Sequence, residues 1–273
     1  FHWDRIGQRN ENSSCGIRVS MAWAGETFGA AALPRVGQEV VVDFLGGDPD
    51  CPIITGRVFN AENMPAWRLP DQQNLSGLRS RELKAGAAGG SRGNHLVLDD
   101  QPGKIQAQLK SDHLSSSLSL GHIGRIDDTA GRKDDRGEGA ELRTDGHAAV
   151  RAARGLLLST EPRPGADAHI TDLGETIARL TAARDLHERQ SRTAQEAKAH
   201  EAGDQDAVTQ ALKEQNDAIK GRPSRQGDFP ELCEPHLVLA SAAGIHSTAA
   251  GATHIASITH NALSSGGHTS ISA

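Results

Sequence analysis

Leu237 to Ala273 reads LVLASAAGIHSTAAGATHIASITHNALSSGGHTSISA and contains no Asp, Glu, Lys or Arg. The rest of the chain carries charge throughout. The segment is too polar for a membrane helix, because hydroxyls and imidazoles interrupt it every few residues. It has no proline and is rich in β-branched residues, which suits strand. Its large apolar residues are too few to bury a core alone. Such a stretch becomes stable when its backbone pairs with neighbouring strands in a stacked or multi-chain β assembly. The segment therefore predicts a fibrous architecture rather than an enzyme pocket.

Working outward, a length of 273 residues suggests two domains or three unequal ones. Hydrophobic content is 36% and aromatic content 3%, with no Tyr, so one large conventional core is not expected. A formal net charge of −6 argues against a nucleic-acid partner, whose phosphates demand a basic face. Cys15, Cys51 and Cys233 are odd in number and far apart, without metal-ligand spacing, and read as reduced thiols. No signal peptide or transmembrane span is visible. The chain opens without Met in strand-like sequence, so a preceding part is expected.

Residues 1–60 read as a small β domain. Ile17-Arg18-Val19-Ser20 alternates, and Gly37 to Leu45 is a strand with Val40, Val42 and Phe44 on one face. Gly46-Gly47-Asp48-Pro49-Asp50 is a turn, and Pro52 to Phe59 returns as the next strand. Short strands in this length suit a small closed barrel of the OB type. Residues 61–93 read as a linker, broken by Pro65 and Pro70 and ending in AGAAGGSRG. From 94 to 171 strand signals resume at His95–Asp100 and Ile105–Leu109, joined by a Gln101-Pro102-Gly103 turn, and again at Leu114–Leu120. Asp127 to Glu141 is charged and Gly-rich and reads as an exposed loop, while Ala148–Leu158 is ambiguous between helix and strand. Residues 172–222 read as a helical hairpin, free of proline until Pro223 and dense in Ala, Glu, Gln, Arg and Lys. Asp172 with Glu175 makes a capping pattern, and Gly203-Asp204 separates two helices marked by Leu173, Ile177, Leu180 and by Val208, Leu212, Ile219. The apolar stripe is thin, so the hairpin needs a partner surface outside itself. Residues 223–273 complete the chain as β.

Phe1-His2-Trp3-Asp4-Arg5, Glu11 to Cys15, Arg18-Val19-Ser20, Trp23-Ala24-Gly25, Pro34 to Val40, Gly46 to Asp50 and Ile53 to Val58 form an ordered series. This series resembles the VgrG spike proteins of bacterial type VI secretion systems. Gly139 to Gly146 and Ala152 to Thr160 look like the region that follows in many such spikes. The resemblance implies a mainly β fold: an OB-type barrel, then an intertwined trimeric β-prism or β-helix carrying a helical insert, with 94–171 and 223–273 as prism and needle. It implies a structural spike of a contractile secretion machine that punctures target membranes and carries effectors, without catalysis and without cofactor. The implied partners are two further copies of the chain (a homotrimer), an Hcp-like secretion tube protein, a PAAR-type tip protein, and a toxic effector with its adaptor chaperone. Assembly in the bacterial cytoplasm would precede secretion or injection. Larger N-terminal hub domains and a continuing needle are expected outside this stretch. Two other readings stand beside it: a specialised spike with a C-terminal toxin activity, and an OB-type nucleic-acid binder.

The chemistry-bearing residues are few. His246, His254, His260 and His268 recur at eight, six and eight residues. On a threefold axis inward imidazoles would meet as a metal site; facing outward, they would only be solvated. His187-Glu188 lacks the second His of a zinc protease, because position 191 is Ser. Asp48 and Asp50 read as turn residues rather than a carboxylate pair. Trp3, Trp23 and Trp67 read as packing residues rather than base-stacking platforms. No catalytic, cofactor-binding or metal residue is assigned. The charge-free tail is expected to shield one face on the axis, with Ile255 and Ile258 of opposite strand parity.

Overall fold

Period-two alternation is the pattern the chain obeys most widely, and it yields a mainly β fold. The computed structural model describes residues 5–8, 10, 16–83, 92–127, 130–166, 169–221 and 231–272. Contacts divide the chain into two units, Phe1–Ala148 and Ala149–Ala273. Cys15, Trp3 and most of the AGAAGGSRG run lie outside the described residues.

In the first unit β1 (Arg18–Val19), β2 (Glu39–Phe44) and β3 (Pro52–Val58) form a sheet in the order β1-β3-β2. The β2–β3 turn is built as its residues require. Gly46 and Gly47 take φ of 63° and 77°, and the Asp48 carboxylate accepts the Asp50 N–H at 3.0 Å. The expected closed barrel is not formed among the described residues. With β1 only two residues long, the sheet stays open, and of its residues only Ile54 is buried.

β4 (Leu75–Arg79), β5 (Asn94–Asp99), β6 (Gln106–Ser111), β7 (Ser116–Asp127) and β8 (Gly131–Arg143) form an antiparallel meander in chain order. Two expectations are corrected here. The segment read as a linker contributes β4, and its Trp67 and Leu75 join Val97 and Ile126 in the core. A run rich in Pro and Asn concealed two large apolar anchors. The segment read as an exposed loop is β8. Its charges are compatible with a strand because they pair with neighbours: Lys133 with Asp127, Arg125 with Asp134 and Arg136 with Glu141.

One buried network ties β5, β6, β7 and β8 together. The Arg132 guanidinium donates to Asp99 at 2.7 Å and to the carbonyls of Lys104 and His122 at 3.1 and 2.9 Å. Asp99 is 1% exposed and also accepts from Asn74 at 2.6 Å. Gly124 makes room for the guanidinium, since a Cβ there would stand 2.9 Å from Cζ of Arg132. On the same sheet face His95 bonds Gln108 at 2.7 Å, and Gln108 donates to Ser119 at 2.9 Å. At the rim the Lys104 ammonium, with Arg132 behind it, holds the Asp135 carboxyl down at about 2.

In the second unit β9 (Leu156–Ser159) and β10 (Leu237–Ala240) pair in parallel, with Leu156 beside Leu237 and Ser159 beside Ala240. Between them lie α1 (Gly174–Glu196) and α2 (Asp206–Lys220). The expected caps hold only in part: α1 opens after Leu173 and α2 after Gln205, neither with a side-chain cap bond, and α1 ends at Glu196, before Gly203. The Asp172 carboxylate accepts the Gly174 N–H at 3.2 Å, and Gly221 leaves α2 at φ 79°. Arg163 bridges Asp172 and Glu175 at 2.8 and 2.7 Å. The carbonyls of Ala218 and Ile219 accept from Cys233 and Leu232, so the end of α2 is satisfied by the returning chain.

The partner surface that the thin stripe requires is in the same chain. Leu173, Ile219, Leu232 and Val238 form a buried cluster, flanked by Leu157, Ile177 and Leu180. Parallel neighbours need a crossover of a dozen residues or more. The hairpin is that crossover, not an ornament on a continuous strand. The charge-free tail departs from its expectation: beyond Ala240 the described residues 241–272 form no strand. A lone extended segment has no ladder to join within its own chain.

Two outcomes follow from the buried network. Arg132→Leu strands the Asp99 carboxylate in the interior and should cost about 3–5 kcal/mol in urea unfolding of the full chain; a loss under about 1 kcal/mol would contradict the assigned role. Burial pushes the His95 imidazole below its ordinary value, only partly offset by its bond to Gln108. The unfolded chain takes up that proton near pH 6.5 and the fold only at lower pH, so stability is complete above about 6.5 and falls as pH drops below it. In melting curves collected across pH, His95→Gln should flatten that fall.

Candidate assembly interface

The meander brings one leucine from each of its five strands into a single row. Leu78 pairs with Leu96, Leu96 with Leu109, Leu109 with Leu118 and Leu118 with Leu142. In the next rung Leu98 and Leu120 flank Ala107. Because successive side chains alternate, these leucines occupy the face opposite to His95, Val97 and Asp99. The polar face is the covered one. The leucines of the row are between 41% and 73% exposed. This inverts the usual arrangement of a half-buried sheet, in which the apolar face lies inside. An exposed contiguous apolar stripe of this kind marks a contact surface.

The second unit repeats the arrangement on a smaller scale. On β10, Val238 and Ala240 are buried toward the helical hairpin, while Leu237 and Leu239 stay exposed with Leu158 of β9. Beyond β10 the tail bends at 242–243, 250–251, 258–259 and 266–267, a repeat of eight residues. Serines stabilise these bends at matching places. Ser241 accepts the Gly244 N–H at 3.2 Å, Ser257 donates to the His260 carbonyl at 2.8 Å, and Ser265 donates to that of His268 at 3.3 Å.

The residues singled out from sequence fall as follows. His246, His254, His260 and His268 are exposed and are not gathered; among the described residues no group of three or more His, Cys, Asp and Glu could hold a metal ion. His187 sits mid-way along α1, half-buried, and the neighbouring Glu188 pairs with Arg192 at 3.3 Å. Asp48 and Asp50 belong to their turn. Trp67 is a core residue, and Trp23 is exposed with Phe28 edge-on at 6.1 Å. Cys51 is an exposed thiol. The leucine row was not foreseen. Its signal was present in HLVLD, IQAQL and LSSSLSL, but the row exists only once strand register is known. No helix among the described residues is long and apolar enough to cross a membrane.

Comparison with known proteins gives the same architecture. Residues 5–59 match the type VI secretion system/phage-baseplate injector OB domain. Residues 86–194 match the putative type VI secretion system Rhs element Vgr, and 224–273 a family described as an uncharacterized protein conserved in bacteria. The type VI secretion system spike protein VgrG2b of Pseudomonas aeruginosa is 50% identical over 186 residues, covering 68% of this chain and 18% of that protein. The actin cross-linking toxin VgrG1 of Vibrio cholerae is 47% identical over 109 residues, covering 40% of this chain and 10% of that one. The solved Tle1 effector bound to the VgrG spike superposes with a TM-score of 0.57 at 26% identity, over 73% of this chain and 53% of that chain. The VgrG spike alone gives 0.54 at 25% identity, over 73% and 65%. The fold thus belongs to the injector class shared by type VI secretion systems and phage baseplates. Within that class the chain is a VgrG-type protein. It spans about a fifth of the length of the curated relatives it matches first.

If the leucine row is a contact surface, a charge at its centre blocks association without unfolding the sheet. Leu109→Asp should raise the midpoint concentration for self-association by on the order of a hundredfold. Lys110→Ala, one residue along on the opposite face, should leave it within about threefold, because that half-buried side chain pairs with Asp112 on the covered side of the sheet, away from the leucines. Light scattering across a dilution series checks both.

Proposed function

We propose that this chain forms part of a homotrimeric spike of a type VI secretion machine, in which it acts as a structural element and carrier rather than as a catalyst. The row Leu78-Leu96-Leu109-Leu118-Leu142 carries the reading. Full burial of a leucine is worth about 1.5–3 kcal/mol, so five half-exposed leucines per chain supply ample drive for association. Identical stripes facing a common rotation axis meet one another there, so a closed cyclic assembly buries all of them together. The resemblance to spike proteins supports the same arrangement.

In that assembly 94–171 and 223–273 act as prism and needle. The base of the spike sits on an Hcp-like tube protein, and a PAAR-type protein covers its tip. A toxic effector with its adaptor chaperone is the cargo, as the effector-bound spike among the similar structures suggests by analogy. Assembly occurs in the cytoplasm, and the complex then leaves the cell.

Sedimentation equilibrium of the full chain should give the mass of three copies at micromolar concentration. A folded, stable monomer there would overturn the proposal. A trimer that fails to retain any effector in co-purification from its own host would remove the carrier role and leave the structural one.

A further inference from the structure

The helical hairpin and the eight-residue repeat are linked by parity. We infer that the hairpin sets the phase of the tail, so that Ile255, Leu263 and Ile271 meet neighbouring copies of this chain while His246, His254, His260 and His268 face outward. This rests on the trimer proposed above and assigns which side of the tail enters it.

The argument starts at β10, where the two faces are already distinguished. Val238 packs with Leu173, Ile219 and Leu232, Ala240 on the same face of the strand is buried too, and Leu237 and Leu239 are open. Side chains alternate along extended chain, and eight is an even number, so a residue and its counterpart one repeat later share a face. Stepping by eight from Leu239 reaches Ser247, Ile255, Leu263 and Ile271; stepping from Leu237 reaches Ile245, Thr253, Asn261 and Thr269. Every large apolar residue of 241–272 is on this face except Ile258, and Ile258 stands in a bend. Stepping from Val238 reaches His246, His254, Ala262 and Ser270; stepping from His236 reaches Gly244, Ala252, His260 and His268. All four histidines therefore share the face that the hairpin covers at β10.

A copy of the same chain is the occupant that fits the open face. Ile245, Ile255, Leu263 and Ile271 are 61%, 81%, 84% and 87% exposed, so nothing among the described residues covers them. The stripe continues the apolar face already presented by Leu158, Leu237 and Leu239. Its companions are Ser, Thr, Ala and Asn, small enough for a narrow axis, and it carries no charge that would orient a different partner. The hairpin cannot be on that side, because it occupies the other one. By covering Val238 and Ala240 within each chain, it leaves only one face of the repeat available for assembly.

Sedimentation of full-chain variants tests the phase. Ile255→Asp, and separately one Ala inserted between Ala243 and Gly244, should each weaken trimer formation on the order of a hundredfold or more, because three carboxylates or the wrong face would meet at the axis. His254→Asp, Ile258→Asp and a duplication of Ser241–Thr248 should leave it within about threefold, as expected for exposed charges. Circular dichroism should show an unchanged helical signal in all of them, since the tail contributes nothing to the hairpin core. A trimeric wild type in which His254→Asp dissociates the assembly and Ile255→Asp does not, or in which the single insertion is harmless, removes the phase assignment alone. A monomeric wild type removes the trimer reading and the phase assignment together.

Discussion

Arg132 and Asp99 meet at 2.7 Å on one face of the five-stranded sheet, with side chains 7% and 0% exposed, and this covered ion pair sets the polarity of the sheet. A buried ion pair is costly unless its remaining donors and acceptors are met. Here Asn74, the backbone of Gln101, and the Lys104 and His122 carbonyls meet them. Trp67 and Leu75 arrive from the segment before the sheet to close over this face. The consequence is that the chain's own covering material lies on the polar side. Nothing comparable covers the leucines on the other.

That asymmetry ties folding to assembly. A sheet that buries His95, Gln108 and Ser119 while showing Leu78, Leu96, Leu109, Leu118 and Leu142 to water has its usual polarity reversed. Such a surface is a candidate interface fixed by the fold of each chain. The hydrogen-bonded polar side gives rigidity, and the leucine side offers apolar area without directional demands.

The second unit uses the opposite order of construction. Its helices have an ordinary apolar core with Leu173, Ile219, Leu232 and Val238, complete within one chain. The parallel pairing of β9 with β10 makes the hairpin a crossover, and its placement decides which residues of β10 remain open. The tail beyond has an eight-residue repeat of bends and, among the described residues, no strand of its own.

Much of this was legible in the amino-acid order. Alternation marked β2, β3, β5, β6 and part of β7; composition and end signals marked the start of α1 and both ends of α2 closely, whereas α1 stops at Glu196, well before the expected stop at Gly203; the absence of charge marked the tail as unlike the rest. The local chemistry of Gly46, Asp48, Asp172 and Gly221 acts over a few residues, so it can be read without the fold. Three features could not be read in this way. β8 looked like a loop until Lys133 and Asp134 found their partners Asp127 and Arg125 on β7, and the linker hid Trp67 because burial depends on what lies above a residue. The leucine row required the register of four strand pairs, which turns and long-range ion pairs set together. The tail's parity was in the sequence throughout, but which parity is left open at β10 was decided only by the hairpin closing over Val238.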